Sequence, residues 1–246
     1  MANWHIAEVI SNHFWTDKLF SLKVRCPAEK FTAGQFVRLA LQVGDKRVQR
    51  AYSLVNPPGS DYAEFYLTYV DDGLLSPALA ALTSGDQIEV SYPASGFFTL
   101  DEVPDGDNLW LLATGTGVGP YLSMLATQEP WQRFKHIILV HAARWANELS
   151  YTQLIGQWQQ QYAGQFSYVP VVSRESVPDA LYGRIPALIT DQQLQQQSEQ
   201  KLDSHSQVMI CGNPDMIKDT KALLETLGLE KNLRRKPGNV TVEQYW

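Results

Sequence analysis

The chain has 246 residues, 44 % of them hydrophobic and 19 % charged, which supplies enough apolar material for folded cores and excludes disordered and fibrous classes. Its net charge of −6 argues against the broad phosphate-neutralising surface of a nucleic-acid-binding protein, so any anion site has to be local. At about 150 residues per domain, the length predicts two compact domains.

No apolar run approaches the roughly 18 residues of a membrane span; the longest lie around Leu109–Ala113 and Ile137–Val140. The opening Met1-Ala2-Asn3-Trp4-His5 lacks the basic flank and apolar stretch of a secretory signal, so the expected compartment is the cytoplasm, with no membrane association. Cys26 and Cys211 are too few for a disulfide framework. Neither they nor His5, His13, His136, His141 and His205 show metal-ligand spacing, so the histidines read as scattered surface or core residues and no metal is expected.

Six short runs with period-2 alternation open the chain: Trp4–Ser11, Lys18–Arg25, Gln35–Leu41, Arg47–Leu54, Glu64–Val70 and Gln87–Tyr92. Turn residues separate them at Val43-Gly44-Asp45-Lys46, Asn56-Pro57-Pro58-Gly59 and Asp71-Asp72-Gly73, and the spacings suit an antiparallel barrel or sandwich. One helix interrupts the pattern. Ser76 followed by Pro77 and strong helix formers predicts an N-cap at Ser76.

The polar stretch Asp101-Glu102-Val103-Pro104-Asp105-Gly106-Asp107-Asn108 reads as a linker, which sets the domains at 1–100 and 101–246. Beyond it, apolar runs alternate with helical patterns. Leu109–Ala113 precedes a helix from Pro120, Ile137–Ala142 a helix over about Glu148–Gln161, Phe166–Val172 a helix at Ile185–Ile189, and Val208–Cys211 a helix over Pro214–Leu227. Such βα units imply a parallel sheet covered on both faces, with ligands beyond the strand C-terminal ends. The glutamine-rich segment Asp191–Gln200 reads as a solvated loop or frayed helix without function.

Two segments carry chemistry. Leu109–Ala113, Thr114-Gly115-Thr116-Gly117-Val118-Gly119-Pro120 and Tyr121–Leu125 read as strand, glycine loop and helix, where close backbone approach and helical amides suit a phosphate. The spacing is neither that of the dinucleotide-binding dehydrogenases nor that of a P-loop, and a tight strand-to-helix turn is the alternative. Arg50-Ala51-Tyr52-Ser53 ends a predicted strand. Its arginine can pair with a pyrophosphate, its tyrosine can cover a flat aromatic system and its serine can bond that system's edge, although alternation alone would make Tyr52 a core residue.

Arg50-Ala51-Tyr52-Ser53, Gly73-Leu74-Leu75-Ser76-Pro77, Gly115–Pro120, Ser173-Arg174-Glu175, Cys211-Gly212-Asn213-Pro214 and the ending Val242-Glu243-Gln244-Tyr245-Trp246 occur in that order. Together, over essentially the whole chain, they resemble the ferredoxin/flavodoxin–NADP reductases of bacterial type. The resemblance implies an α+β, two-domain protein: an N-terminal antiparallel six-stranded β-barrel that carries FAD, then an α/β parallel-sheet domain that binds NADP(H). It places Arg50 on the FAD pyrophosphate, Tyr52 on the isoalloxazine and Ser53 near the reactive N5. Ala51, Tyr66, Thr68, Leu75, Ser76 and Thr116 complete the implied FAD site, and Tyr245 and Trp246 cover the ring and the adenine.

On the second domain it places NADP(H) at Thr116, Gly117, Ala143, Arg144, Ser173, Arg174, Arg184 and Asp215. Cys211 and Glu243, with Ser53, are the residues implied beside the reacting atoms, Glu243 as a source of protons. The choice of NADP over NAD also has a physical basis. The second strand of this domain ends His141-Ala142-Ala143-Arg144, with an arginine where an NAD site usually holds an acid, and Arg174 and Arg184 flank later strand ends.

Lys231-Asn232-Leu233-Arg234-Arg235-Lys236 carries four positive charges and no acid, so it is a candidate dock for an acidic carrier, against the commoner solvated basic loop. The expected protein is therefore a monomeric, NADPH-dependent flavoprotein that exchanges electrons transiently with ferredoxin or flavodoxin. A reductase subunit of a multicomponent oxygenase and a non-catalytic flavin-binding sensor are the alternatives.

Overall fold

A computed structural model describes residues 3–25 and 30–244. The chain forms two compact units, one of Met1–Thr99 with Gly119–Thr127 and the other of Leu100–Val118 with Gln128–Trp246.

The first unit is a curled antiparallel sheet. Strands β1 (Asn3–Phe14), β2 (Leu19–Arg25), β3 (Phe36–Val43), β4 (Lys46–Ser53), β5 (Ala63–Thr68) and β6 (Gln87–Tyr92) form it, joined by helix α1 (Leu75–Ala80). The order β4-β3-β6-β1-β2-β5 leaves β4 and β5 as the two edges. Just past the end of β4, Val55 N–H donates to Glu64 O of β5 at 2.9 Å, so the edges meet and the sheet closes there. All six strands fall on the runs that alternation marks.

Period 2 sorts their side chains. Ala63, Phe65 and Leu67 join Phe20, Leu22, Leu39, Ile88 and Val90 in one core, while Glu64, Tyr66 and Thr68 occupy the other face of β5. Each large apolar side chain buried this way contributes about 1.5–3 kcal/mol. Asn12 ties helix to sheet: its Nδ2 donates to Leu79 O, Ala80 O and Leu82 O at 3.0–3.2 Å, where α1 runs out of intrahelical donors.

Helix α1 departs from expectation at its start. It begins at Leu75 with Leu74 as N-cap and no side-chain cap bond, so Ser76 lies within the first turn. The Ser76 hydroxyl accepts from Val70 N–H at 3.0 Å, and that long-range demand overrides the capping role that Ser-Pro suggests.

The second unit is a parallel sheet. Strands β7 (Asn108–Thr114), β8 (His136–Ala143), β9 (Phe166–Val172), β10 (Leu181–Tyr182), β11 (Ser206–Gly212) and β12 (Val240–Gln244) stand in the order β10-β9-β8-β7-β11-β12. After β7 the chain makes a 3-10 turn over Gly115–Val118 and enters helix α2 (Gly119–Leu125). Residue Gly119 rather than Pro120 opens that helix. Every residue of α2 is buried, and it belongs to the first unit: Ser123 Oγ donates to Asn56 O at 2.7 Å, and the Tyr121 ring lies 5.7 Å from Phe98.

Helices α3 (Glu129–Arg133), α4 (Thr152–Gln161), α5 (Ile185–Thr190), α6 (Gln193–Ser198) and α7 (Pro214–Thr226) follow. Helix α4 starts four residues later than its pattern predicts. Glu148 closes a separate 3-10 turn by accepting from the amides of Arg144 and Trp145, and Tyr151 then takes a left-handed φ of 62°. The glutamine-rich segment contains α6, which buries Leu194 and Ser198. Among the described residues no helix is long and apolar enough to cross a membrane.

Candidate functional site

In the second unit the chain reverses its direction of travel across the sheet at β7. The strands β8, β9 and β10 lie to one side and β11 and β12 to the other, so the crevice beyond the C-terminal ends of β7 and β11 is the topological switch point where such sheets bind ligands. Two segments frame it, the glycine turn after β7 and Gly212-Asn213 at the end of β11.

These segments are fitted to each other at backbone distance. A Cβ on Gly117 would sit 2.6 Å from Cys211 O, and one on Gly212, whose φ is +128°, would sit 2.2 Å from Thr114 Oγ1. Only glycine allows both approaches. Thr114 Oγ1 accepts from Asn213 N–H at 2.8 Å, and Asn213 Oδ1 in turn caps α7 by accepting from the amides of Asp215 and Met216 at 2.9 and 3.2 Å. Asp215 is thereby set, exposed, on the first turn of α7.

Cys211 is buried at the end of β11 and lies in register with Ala113 of β7 on one side and Glu243 of β12 on the other. Neighbouring strands are about 4.8 Å apart, so residues 32 positions apart in sequence become lateral neighbours, with Glu243 half-buried. The strand β12 does this; Val240-Thr241-Val242-Glu243 alternates, but nothing in its five residues tells which strand it pairs with. Tyr245 and Trp246 follow it and lie outside the described residues.

The arginines gather on the other side of the switch point. Beyond the ends of β8 and β9 the pairing continues, with Ser173 N–H donating to Ala143 O at 3.1 Å and Arg174 N–H to Arg144 O at 2.9 Å. Gly183 N–H donates to Val172 O at 3.0 Å and delivers Arg184, the N-cap residue of α5, to the same edge. All three guanidiniums are exposed, and among the described residues none has an acidic partner. The two nearby carboxylates are occupied by backbone, Glu148 by the amides of Arg144 and Trp145 and Glu175 by Ala146 N–H at 2.7 Å. The Ser173 hydroxyl is turned inward to Ala143 O at 3.3 Å and has to rotate to serve a ligand.

Two side chains outside the residues assigned a role by the motifs also shape this site. Thr114, at the end of its strand, is one. The other is His141, wholly buried on β8 with Nε2 3.1 Å from Gly115 O. Burial pushes its imidazole down to about 4, against the pull of that carbonyl, so the ring is neutral at pH 7.

In the first unit Arg50 and Tyr52 project from the same face of β4, two residues apart, with Arg50 exposed and Tyr52 half-buried against the core. Burial pushes the Tyr52 phenol up to about 12, with the Arg50 charge pulling the other way, so the ring is neutral at all ordinary pH. Ala51 is exposed and Ser53 buried at the closing edge. Across that edge Tyr66 is buried, Thr68 half-buried, and Leu75 and Ser76 are buried on α1.

Both sets of residues fit the ligands the motifs imply. An exposed guanidinium beside a flat neutral ring suits a dinucleotide carrying an aromatic ring system, and three unpaired guanidiniums beside a glycine cradle suit a second, phosphorylated one.

The basic stretch is only partly available. Arg234 bonds Glu102 with two nitrogens at 2.7 and 3.2 Å, and Lys236 pairs with Glu230, which leaves Lys231 and Arg235 exposed without acidic partners among the described residues.

Residues 7–98 match the oxidoreductase FAD-binding domain family and residues 111–222 the oxidoreductase NAD-binding domain family. The chain is 50 % identical to a flavodoxin/ferredoxin–NADP reductase of Escherichia coli (strain K12), with all of both chains covered. It is 35 % identical to a ferredoxin–NADP reductase of Pseudomonas aeruginosa, over 99 % of this chain and 98 % of the relative. Among solved structures it superposes, with a TM-score of 0.94, 33 % identity and full coverage of both chains, on a ferredoxin NADP+ reductase from Neisseria gonorrhoeae with bound FAD and NADP.

Proposed function

The chain belongs to the flavodoxin/ferredoxin–NADP reductase family, and from that premise we propose how its own residues divide the work. It is an FAD-dependent oxidoreductase that exchanges electrons between NADP(H) and ferredoxin or flavodoxin. When bound, FAD supplies the step from two-electron to one-electron chemistry, and the protein supplies binding, orientation and exclusion of water.

The observation that carries the coenzyme assignment is the set of unpaired guanidiniums at the ends of β8, β9 and β10. Arg144, Arg174 and Arg184 hold the 2′-phosphate, with Ser173 and the backbone at Ala143 beside them. Thr116 and Gly117 present backbone to the rest of the coenzyme, and the Asp215 carboxylate, which would repel phosphate, accepts from a hydroxyl or amide.

Arg50 holds the FAD pyrophosphate, the neutral Tyr52 ring covers the isoalloxazine, and Ser53 bonds its edge. Ala51, Tyr66, Thr68, Leu75 and Ser76 line the same site, and Thr116, Tyr245 and Trp246 are further candidates for FAD contact. At the reacting atoms Cys211 packs against the nicotinamide, and the half-buried Glu243 delivers and accepts protons. The protein works as a cytoplasmic monomer.

The carrier docks transiently, and Lys231 and Arg235 contribute to its dock, since Arg234 and Lys236 already have acidic partners. Reduction of an acidic ferredoxin or flavodoxin by NADPH tests this. Changing Lys231 and Arg235 to glutamine is expected to lower kcat/KM for the carrier about three- to tenfold and flatten its dependence on ionic strength, with the ferricyanide rate unchanged. An unchanged rate and salt dependence would remove the dock from this segment.

A further inference from the structure

Resting on the coenzyme site just described, we propose that His141 is a positioning residue for NADP(H), holding the Gly115 carbonyl so that the turn Gly115–Val118 presents its backbone to the coenzyme. His141 stands in register between Ala113 of β7 and Pro170 of β9, beneath the glycine turn. A carbonyl only accepts, so Nε2 carries the proton in the 3.1 Å bond to Gly115 O. That choice of tautomer leaves Nδ1 with a lone pair. The residue is 0 % exposed, and Nδ1 has no hydrogen-bond partner among the described residues.

A buried, unpartnered nitrogen is destabilising, and an aliphatic side chain of similar volume would fill the same place between Ala113 and Pro170 without it. Core stability is therefore a poor account of a histidine here. What the imidazole adds over leucine is one donor, aimed at the first carbonyl of the turn. Gly115 has a left-handed φ of +53°, and a Cβ there would meet nothing within 4 Å, so crowding does not fix the turn at this end. Its other end is fixed by the approach of Gly117 to Cys211 O. In a trans peptide the C=O and the following N–H point in opposite directions, so drawing Gly115 O toward β8 aims the Thr116 N–H away from it. The His141 bond thus sets the direction of the first amide of the turn.

The test uses FAD-loaded wild type, His141→Leu and His141→Gln, with the NADP+ dissociation constant measured by calorimetry beside melting temperature and flavin content. Leucine is expected to weaken NADP+ binding about 5- to 10-fold, the worth of one lost hydrogen bond, with flavin content kept and the melting temperature equal or higher. Glutamine, which restores an N–H donor, is expected to return binding to within about threefold of wild type. Binding by His141→Leu within twofold of wild type, or a glutamine variant as weak as the leucine one, would overturn the proposal.

A measurement on wild type alone stands beside these. With 15N-labelled histidine, the His141 Nε2–H resonance is expected to shift on saturation with NADP+, and no movement would equally overturn it. Wild type that fails to bind NADP+ would instead overturn the coenzyme site itself, so the two failures are distinct.

Discussion

Replacing Arg144 and Arg174 together with alanine is expected to raise the KM for NADPH about a hundredfold or more and to leave the KM for NADH within about threefold. A hydrogen bond to a charged group is worth about 1.5–3 kcal/mol, and the lower figure applies to exposed guanidiniums that solvent screens. Two such losses give about 3 kcal/mol, slightly over two decades. The expectation of selectivity rests on backbone geometry. Arg174 N–H donates to Arg144 O and Ser173 N–H to Ala143 O, so the loops keep their course when both side chains are cut back. Only the cations facing a 2′-phosphate disappear. Steady-state rates with ferricyanide as acceptor measure both constants, and an equal rise for NADH and NADPH would mean that these arginines do not read the phosphate.

Gly117→Ala is the second change with a large expected effect: a fall of about a hundredfold in the rate of flavin reduction by NADPH, with FAD retained. The new methyl group would lie 2.6 Å from Cys211 O and 2.8 Å from its carbonyl carbon, both backbone atoms that cannot swing aside. Relief requires the turn to move off β11, and misplacement by about 1 Å near reacting groups costs about a hundredfold. Apart from Thr116, the described residues assigned to FAD lie on β4, β5 and α1, outside the turn that has to move. Gly115→Ala makes the contrast. With nothing within 4 Å, it meets only the strain of a left-handed φ, about 1 kcal/mol, and a correspondingly smaller loss is expected. Single-turnover reduction in a stopped-flow instrument separates the two, and equal rates would show that contact with β11 does not set the turn.

What could be read from the residues follows from how local each signal is. The six strands of the first unit are legible because apolar residues recur with a period near 2 on the face that lies in the core, a signal that survives without knowledge of partners and despite the register shift between Val9 and Ser11. Local chemistry misleads where a distant group competes for it. Ser76 looks like an N-cap because Pro77 follows, yet Val70 N–H claims its hydroxyl. Glu148 looks like a first-turn acid, yet it closes a turn on Arg144 and Trp145. Helix α6 is invisible to apolar periodicity because Leu194 is its one apolar residue, and it is bounded by Gln192 and Glu199 in left-handed conformations that sequence does not flag. The two-residue strand β10 is too short to show any period.

The site was legible to the same degree. Arg144 and Arg174 could be named as strand-end cations, but their joining through a backbone bond depends on two strands separated by a whole helix. Cys211 and Glu243 become neighbours only because β12 pairs in parallel with β11, a non-local event. His141 reads as an ordinary core histidine, and a core histidine it is. Its bond to Gly115 depends on where the turn folds over β8, which no spacing encodes.

Selective transfer of electrons from NADPH to bound FAD is the property on which the residue assignments rest. Anaerobic titration of the FAD-loaded protein with NADPH and, separately, with NADH, followed in the visible spectrum, tests it most directly. The flavin band is expected to bleach with near-stoichiometric NADPH, while NADH needs a large excess. Equal bleaching by the two nucleotides, or none by NADPH with flavin fully bound, would contradict it.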